Sequence, residues 1–323
     1  MSDDEEMTYA DAGVDIDASE QAVEALAGAV SGLGDTTEYA GLVDIGEQYL
    51  GLATDGVGTK LLVAEALDDY STIGIDCMAM NVNDLVASGV EPVAFVDYLA
   101  VDEPEEEMTE AIGAGLARAA EAAGVALVGG ETAVLPEVIS GFDLAGTAAG
   151  LATEEDLFDG EARAGDAIVG FPSSGVHSNG LTLARQAATK NHEYTDPFPG
   201  SEESIGQVLL EPTRLYTYLL PELRAHETHA AAHVTGGGWT NLSRMGTFRY
   251  EITDPFDAQP VFEFVQSEGN VSDEEMHRTF NMGTGFVAAL PEDDAESLAA
   301  ATDGEIIGRV EAGEGVAVRG LEL

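Results

Sequence analysis

Hydrophobic and polar positions follow two periods that alternate along the chain. Runs such as PVAFVDYLAV (92–101) and DAIVGF (166–171) are short, apolar and rich in β-branched residues, which predicts buried strands. Segments 72–89 and 105–123 carry apolar residues at helical spacing, and the first ends at a glycine typical of a helix C-terminus. A further helix is predicted over 19–33. This alternation predicts an α/β or α+β layered fold.

One polar stretch, TEEDLFDGEARAG (153–165), interrupts the alternation near the middle of the chain. A chain of 323 residues exceeds one comfortable core and favours about two domains of roughly 150 residues each. We therefore predict an N-terminal α/β domain over 1–153, a connecting segment over 154–165 and a second α/β domain over 166–323.

The charge balance is strongly acidic, with 61 Asp and Glu against 12 Lys and Arg and a formal net charge of −49. Acidic residues are spread over the whole chain, and a surface of this kind repels nucleic acid and anionic lipid, so neither is an expected partner. At about 1 M salt the Debye length falls to about 3 Å, which relieves the repulsion, and we predict a cytoplasmic protein from a halophile. A single cysteine, Cys77, fits a reducing compartment. Neither a signal peptide nor a membrane span is expected from the sequence.

The segment TDGVGTK (54–60) is the first candidate for chemistry. Gly56 and Gly58 allow a ligand close to the backbone, Asp55 suits a hard cation, and Lys60 suits phosphate oxygens. The spacing is not that of a Walker A loop, and a plain glycine turn between two strands is the alternative interpretation.

Two further acidic positions follow in the same half. Asn83 and Asp84 fall on the edge of a predicted helix, and Asp84 with Asp55 would form a carboxylate pair suited to Mg²⁺, although a solvated helix residue is the alternative. In GGETA (129–133), two glycines and Glu131 follow the apolar run VALV, as when a strand delivers a carboxylate at its end. A turn without a ligand is the alternative there.

The second half offers a histidine and a glycine loop. His177 lies in PSSGVHSNG (172–180), so we predict a polar loop position outside the core and a role as general acid or base. Ser173 lacks the G-x-S-x-G context of a hydrolytic nucleophile. HVTGGGWTN (233–241) could offer backbone N–H groups to a phosphate, and a glycine turn without phosphate is equally compatible. The spacing of His226, His229 and His233 does not favour a metal site.

These segments occur in an order that resembles one family. From YADAGVDIDA near the start, the match runs through TDGVGTKL, IGIDCMAMNVNDLVASGVEP, VDYLA, LVGGETA, FDLAGTAAG, SSGVHSNGLTLAR, LLEPTRLY and HVTGGGWTNLSR to RTFNMGTGF. Together they cover nearly the whole chain and resemble phosphoribosylformylglycinamidine cyclo-ligase, also called aminoimidazole ribonucleotide synthetase.

The resemblance implies ATP-dependent ring closure of formylglycinamidine ribonucleotide in purine biosynthesis, with Mg²⁺. It also implies a homodimer in which the first-domain sheets of two subunits join in a barrel. The implied catalytic residues are His177, Asp55, Asp84 and Lys60, and the implied metal ligands are Asp55, Asp84 and Glu131. The implied nucleotide site comprises Asp55, Gly56, Gly58, Thr59, Lys60, Asn83, Asp84, Gly129, Gly130 and Glu131. The implied substrate site comprises Ser173, Ser174, His177, Asn179, Thr235, Gly236, Gly237 and Gly238.

One segment departs from the family pattern. Residues 24–44 contain no Lys or Arg, whereas the family commonly has basic residues and a glycine-rich loop there, at the nucleotide site. Another ATP-using relative, such as selenophosphate synthetase or thiamine-monophosphate kinase, is one alternative. A non-catalytic nucleotide-binding protein on the same scaffold is the other. The first forty residues contain no cysteine, which disfavours the selenophosphate enzyme, and TDGVGT lacks the paired aspartates expected of the kinase.

Overall fold

The N-terminal half of the chain is built on a six-stranded β-sheet. The computed structural model describes residues 6–9, 12–13, 35–37 and 39–323, so the helix predicted over 19–33 lies outside the described residues. Six strands are ordered β1-β2-β3-β6-β4-β5 and are antiparallel except for the parallel pair β4 and β5. Their bounds are β1 Asp35–Thr36, β2 Gly41–Asp44, β3 Tyr49–Gly56, β4 Glu91–Val101, β5 Ala126–Val134 and β6 Phe142–Ala152.

Helices cover one face of this sheet. They are α1 Leu61–Leu67, α2 Ile73–Ala87 and α3 Glu106–Ala123, and α2 packs on both β3 and α3. The sheet contributes Phe95, Leu99 and Leu144 to the core beneath them. The helices predicted over 72–89 and 105–123 are therefore confirmed, and Gly89 has the positive φ of 76° expected beyond a helix end.

The glycine pair at 129–130 lies inside a strand, so the prediction of a strand end or turn there is wrong. β5 runs through Gly129 and Gly130 and pairs with β4 as far as Val134, with a register shift beside Gly129. A Cβ built on Gly130 would lie 2.3 Å from Oδ1 of Asp97, so a larger residue there would force the Asp97 carboxylate on the neighbouring strand to move.

The second sheet has seven strands in the order β13-β12-β9-β11-β7-β10-β8, with β12 and β9 parallel and the other pairs antiparallel. The strands are β7 Ala167–Pro172, β8 Ala230–His233, β9 Arg249–Ile252, β10 Thr284–Leu290, β11 Glu305–Glu311, β12 Gly315–Val318 and β13 Leu321–Glu322. The helices are α4 Leu181–Ala188, α5 Ile205–Leu209, α6 Leu220–Ala225, α7 Pro260–Gly269, α8 Asp273–Thr279 and α9 Glu292–Ala301. Within the described part of the chain, no helix is both long enough and apolar enough to cross a bilayer.

A buried ion pair lies where the two halves of the chain meet. The Lys60 ammonium donates to Asp76 Oδ1 at 2.9 Å and to the carbonyl oxygen of Glu211 at 2.6 Å, and both charged side chains are fully buried. Asp76 Oδ1 also accepts from the backbone N–H and the hydroxyl of Thr213, at 2.8 and 2.6 Å. Lys60 and Asp76 belong to the first half and Glu211 and Thr213 to the second, so this cluster fastens the two halves together.

This cluster corrects the role predicted for Lys60. Its ammonium faces Asp76 and a backbone carbonyl, so in this conformation it does not face phosphate oxygens. Burial lowers the pKa of Lys60, and the Asp76 carboxylate opposes that shift. The sequence pattern failed because the partner carboxylate lies 16 residues away, on α2.

We predict that Asp76→Ala lowers the free energy of unfolding by about 3–5 kcal/mol, because it leaves a buried ammonium without its counter-charge. Urea unfolding of wild type and variant in molar KCl measures the loss. The control is Glu274→Ala, which breaks an exposed pair with Arg278 and should cost less than about 1 kcal/mol. Equal losses for the two variants would contradict the importance of the buried pair.

Candidate active site at the domain interface

Two carboxylates of the first domain, Asp55 and Asp84, are close enough to act on each other electrostatically. Asp55 lies near the end of β3 and is solvent-exposed. The side-chain amide of Asn81 on α2 donates to the Asp55 carbonyl oxygen at 3.2 Å, which places that turn of the helix against the strand. Asp84 lies three residues further along α2, and its side chain is 20% exposed.

The two carboxylates interact electrostatically. Desolvation by the surrounding protein raises the pKa of Asp55 most, although part of the residue remains in contact with solvent, and the Asp84 carboxylate raises it further. The Gly56 N–H, which donates to Asp55 Oδ1 at 2.7 Å, and the positive charge of Arg244 act in the opposite direction. A pair of like charges in a partly desolvated cleft suits a bound cation.

The donor set fits Mg²⁺ with two protein ligands. Among the described residues there is no group of three His, Cys, Asp or Glu side chains able to hold a metal ion. Mg²⁺ commonly takes one or two protein carboxylates and completes its octahedron with water and phosphate oxygens. Asp55 and Asp84 meet that requirement, and a bound phosphorylated ligand would supply the remaining oxygens.

Glu131 lies apart from this pair. Strand register aligns Gly56, Ala145, Tyr98 and Glu131 across β3, β6, β4 and β5. Three strand spacings separate Glu131 from the β3 end, or about 14 Å. Within a single subunit, Glu131 is therefore not beside Asp55, and the prediction that it shares a metal site with Asp55 and Asp84 is wrong there. The sequence did not reveal the strand order on which this depends.

A histidine from the second domain holds Asp84. His233, the last residue of β8, is fully buried, and its Nδ1 lies 3.0 Å from Asp84 Oδ1. Its Nε2 lies 3.3 Å from the Asn83 side-chain amide, so the consistent arrangement has Asn83 donating to Nε2 and Nδ1–H donating to Asp84. The contact orients the carboxylate across the domain interface.

Asn83 is buried at the domain interface, where it contacts the second domain. Its amide group donates to the Arg214 carbonyl oxygen at 2.9 Å, and its oxygen accepts from the Tyr216 N–H at 2.8 Å. Because the side chain is buried and its donors and acceptor are used, the predicted contact with nucleotide is not available to it in this conformation.

The segment 172–180 packs against the turn at 56–60. The Ser178 hydroxyl donates to the Val57 carbonyl oxygen at 2.7 Å, and the Thr59 and Thr182 hydroxyls are 3.0 Å apart. Ser173 and Ser174 use their hydroxyls within the second domain, on Asn281 and on the Pro212 carbonyl oxygen respectively. These serines shape the loop.

His177 is buried, so its predicted place on a solvent-facing loop is wrong. Its positive φ of 63° turns the ring inward beside Tyr216, with ring centroids 6.4 Å apart. Gly285 provides the space, because a Cβ there would lie 2.7 Å from Cε1 of His177. Nε2 accepts from the Ser174 N–H at 3.1 Å, and burial places the pKa of His177 well below its usual range. In this conformation the ring holds the loop, and its proton-transfer role stays a prediction.

The glycine loop at 235–238 is already partly hydrogen-bonded. The N–H groups of Thr235 and Gly236 donate to side-chain oxygens of Asn241 and Asn179, at 2.8 and 2.9 Å, and Gly238 N–H donates to the Thr235 carbonyl oxygen. Three of the four N–H groups offered to a phosphate by the sequence pattern are thus used within the protein. The Asn179 contact joins this loop to 172–180.

Sequence reasoning missed three contributors to the interface. Asp76 and Thr213 gave no motif signal, because they meet only after the domains pack together. His233 was passed over because the metal-binding spacing was absent, although its position directly before the glycine loop marked a strand end at a cleft. The position of His233 shortly before a glycine loop was thus the sequence feature that could have identified it as an interface residue.

Comparisons with known proteins agree with this architecture. The family described as AIR synthase related protein, N-terminal domain, matches residues 37–152, and the corresponding C-terminal domain family matches residues 163–320. The chain is thus an AIR synthase related protein with both domains of that family.

Sequence relatives specify the group more closely. The chain is 50% identical to phosphoribosylformylglycinamidine cyclo-ligase of Methanosarcina acetivorans over 315 residues, which cover 94% of this chain and 95% of the relative. It is 46% identical to the Thermococcus kodakarensis cyclo-ligase over 304 residues, 90% of each chain. It belongs to the phosphoribosylformylglycinamidine cyclo-ligase family.

Solved structures share the fold at low identity. Thiamine monophosphate kinase from Aquifex aeolicus superposes with a TM-score of 0.69 at 18% identity, over 94% of this chain and 97% of the kinase. Hydrogenase maturation protein HypE in complex with ATP superposes with a TM-score of 0.59 at 18% identity, over 81% of this chain and 77% of HypE. At these identities the likeness establishes the two-domain fold.

We predict that burial of neutral His177 makes the protein less stable as pH falls. Its pKa is depressed in the folded state, so below the unfolded-state pKa of about 6.5 the unfolded chain takes up a proton that the native ring refuses. This contribution approaches about 1.4 kcal/mol per pH unit and is absent in His177→Gln. The stability difference between wild type and His177→Gln should therefore change as pH falls from about 8 to about 5.

Urea unfolding across that range measures the difference. The control variant is His192→Gln, which alters a partly exposed histidine paired with Glu268. Parallel stability curves for wild type and His177→Gln would contradict the depressed pKa.

Proposed function

We propose that this chain catalyses the ATP-dependent closure of formylglycinamidine ribonucleotide to aminoimidazole ribonucleotide, with release of ADP and phosphate. The observation that carries the proposal is the coupled pair Asp55 and Asp84 at the domain interface of a chain in the cyclo-ligase family. An amide oxygen leaves only after it carries a phosphoryl group, and phosphoryl transfer depends chiefly on positioning and on cations around the transferred group.

The residues of this chain would support phosphoryl transfer by holding the cation and the phosphate groups in position. When bound, Mg²⁺ supplies positive charge to the phosphate oxygens, and Asp55 and Asp84 are its proposed ligands. His233 fixes the orientation of Asp84. The 56–60 turn is held by the second domain, through the Ser178 hydroxyl on the Val57 carbonyl oxygen and through Thr182 of α4 beside the Thr59 hydroxyl, which would keep the turn in position for a ligand.

The alternatives are weaker. A thiamine-monophosphate kinase shares the fold but only 18% identity, against 50% for the archaeal cyclo-ligase. An inert nucleotide-binding protein remains the second candidate, because residues 24–44 lack basic side chains. Turnover distinguishes an inert protein from an enzyme.

We predict that the protein converts formylglycinamidine ribonucleotide to the aminoimidazole product with one ADP per product in molar KCl, ATP and Mg²⁺. The Asp84→Asn variant should lose most of this activity, on the order of a hundredfold or more, because it removes a carboxylate from the cation site. Its urea unfolding should change little. The measurement is parallel detection of ADP and product.

Nucleotide binding without product from the wild type would favour the inert alternative. Turnover of thiamine phosphate or selenide would favour another member of the fold. Full activity in Asp84→Asn at limiting Mg²⁺ would remove Asp84 from the proposed metal site.

We also propose a homodimer in which the first-domain sheets of two subunits join in a barrel. The face of the first sheet opposite the helices exposes Leu52, Val96 and Tyr98, and Tyr98 keeps 48% of its surface exposed. The edge strand β5 is exposed along nearly its whole length. Exposed apolar surface beside an unpaired strand edge is typical of an interface with another chain.

We predict that Val96→Glu converts the dimer to a monomer, because it places a charge on this apolar face. Analytical ultracentrifugation in molar KCl measures the mass. The control is Ile306→Glu, which adds the same charge to an exposed apolar position of β11. A monomeric wild type, or a Val96→Glu dimer of unchanged affinity, would contradict this interface.

The acidic surface supports a further proposal about conditions. We propose that the protein works in cytoplasm of molar salt, because 61 acidic residues against 12 basic ones would repel one another strongly at low ionic strength.

A further inference from the structure

Arg244 differs from the other arginines in how it is bonded. Nine of the ten arginines donate at least one hydrogen bond to a described residue, and most pair with a carboxylate. Among the described residues Arg244 makes neither a hydrogen bond nor an ion pair. Arg118 and Arg185 also lack a carboxylate partner, but each donates to another oxygen, the Ser71 carbonyl and the Tyr194 hydroxyl respectively. The difference at Arg244 is that none of its donors is used within the described part of the chain.

An aromatic ring supports this guanidinium without using its donors. Arg244 lies in the 3₁₀ helix Gly238–Met245, directly after the glycine loop, and its guanidinium carbon is 5.1 Å from the centre of the Tyr39 ring. A ring contacts the flat face of a guanidinium, whereas the N–H donors lie along its edge. The donors therefore remain available to a ligand.

The guanidinium borders a cavity of about 240 Å³ between the two domains. The wall includes Thr37, Tyr39 and Ser88 from the first domain, Asp159 from the connecting segment, and Ala231 and Arg244 from the second domain. The hydroxyls of Thr37 and Ser88 are 2.9 Å apart. The one acidic group among these six is paired with Arg163 at 2.5 Å, which offsets its charge.

The cavity adjoins the proposed metal site. The Ser88 hydroxyl donates to the Asp84 carbonyl oxygen one helical turn away, and Ala231 stands two residues before His233 on β8. The charge of Arg244 reaches Asp55, where it favours the ionised carboxylate. One guanidinium thus acts on both the cavity and the cation site.

The size and chemistry of the cavity suit part of a phosphorylated ligand. Whole small-molecule sites are typically about 300–1,000 Å³, so this volume fits one end of a ligand. The Thr37 and Ser88 hydroxyls already donate within the protein, so the guanidinium is the group that can recognise an anion here. A guanidinium with free donors is well suited to bind phosphate oxygens.

We propose that the cavity between Tyr39 and Arg244 is a phosphate subsite, in which Arg244 binds a phosphate group of one of the two phosphorylated substrates. The inference rests on the proposed function, which supplies two such ligands, ATP and the ribonucleotide. It accounts for the lack of basic residues in 24–44, because the positive charge comes from the second domain.

Direct binding measurements test the subsite separately from catalysis. Isothermal titration in molar KCl compares wild type, Arg244→Met and Arg244→Lys, with Mg²⁺ and ATP in one series and formylglycinamidine ribonucleotide in the other. Arg244→Met should weaken one ligand by about ten- to a hundredfold, and Arg244→Lys should weaken it less. The ligand affected identifies the source of the phosphate. Arg278→Met, which removes an exposed partner of Glu274, should bind both ligands as wild type does.

Chemical modification provides a second readout that does not depend on a variant folding. Phenylglyoxal modifies accessible guanidinium groups, and peptide mass spectrometry follows Arg244 and Arg278 in the wild-type protein. The bound ligand should slow modification of Arg244 severalfold and leave Arg278 unchanged. Wild-type affinity of Arg244→Met for both ligands, or equal modification with and without each ligand, would overturn the subsite. Ligand binding without product formation would overturn the proposed function and leave the subsite supported.

Discussion

The buried contact between Lys60 and Asp76 ties the two domains together. A charged pair without solvent contact carries a desolvation cost that only close geometry and further hydrogen bonds offset. Here those bonds come from the other domain, through Thr213 and the Glu211 carbonyl oxygen. Separation of the domains would leave an ammonium and a carboxylate without these partners. The proposed cation site at Asp55 and Asp84 lies at the same domain boundary and depends on these contacts to keep its geometry.

Charge is distributed unequally between the surface and the interface. Several arginines at the surface pair with carboxylates, as Arg249 does with Glu251 and Glu322. At the interface each of three side chains has its own contact: Lys60 pairs with Asp76, His233 donates to Asp84, and Arg244 lies over the Tyr39 ring. The surface pairs are open to screening by salt, whereas the interface groups are partly or wholly shielded from it. A strongly acidic chain can thus keep a local positive charge beside its cation site.

The strands and helices of both domains could be predicted from the sequence because their patterns are local. The run 92–101 and the helical spacing in 72–89 depend on neighbours a few residues away, and both elements occur as predicted. The position of Glu131 could not be predicted, because strand order depends on pairing between distant segments. Polarity alone misled for His177, since a positive φ and the space at Gly285 turn a ring from a polar loop into the core. The pairing of Asp55 with Asp84 as metal ligands stays a prediction, and its support is that β3 and α2 pack side by side and that the Asp84 charge acts on Asp55.

The hydrogen-bonded series Asn83, His233 and Asp84 crosses the boundary between the domains. Each member has a partner on the opposite side, so the carboxylate cannot keep its orientation independently of the domain arrangement. The orientation of Asp84, the proposed metal ligand, therefore depends on how the two domains are arranged. A substitution that shifts β8 by a fraction of an ångström, at a site remote from any ligand, would alter the direction in which the Asp84 lone pairs point.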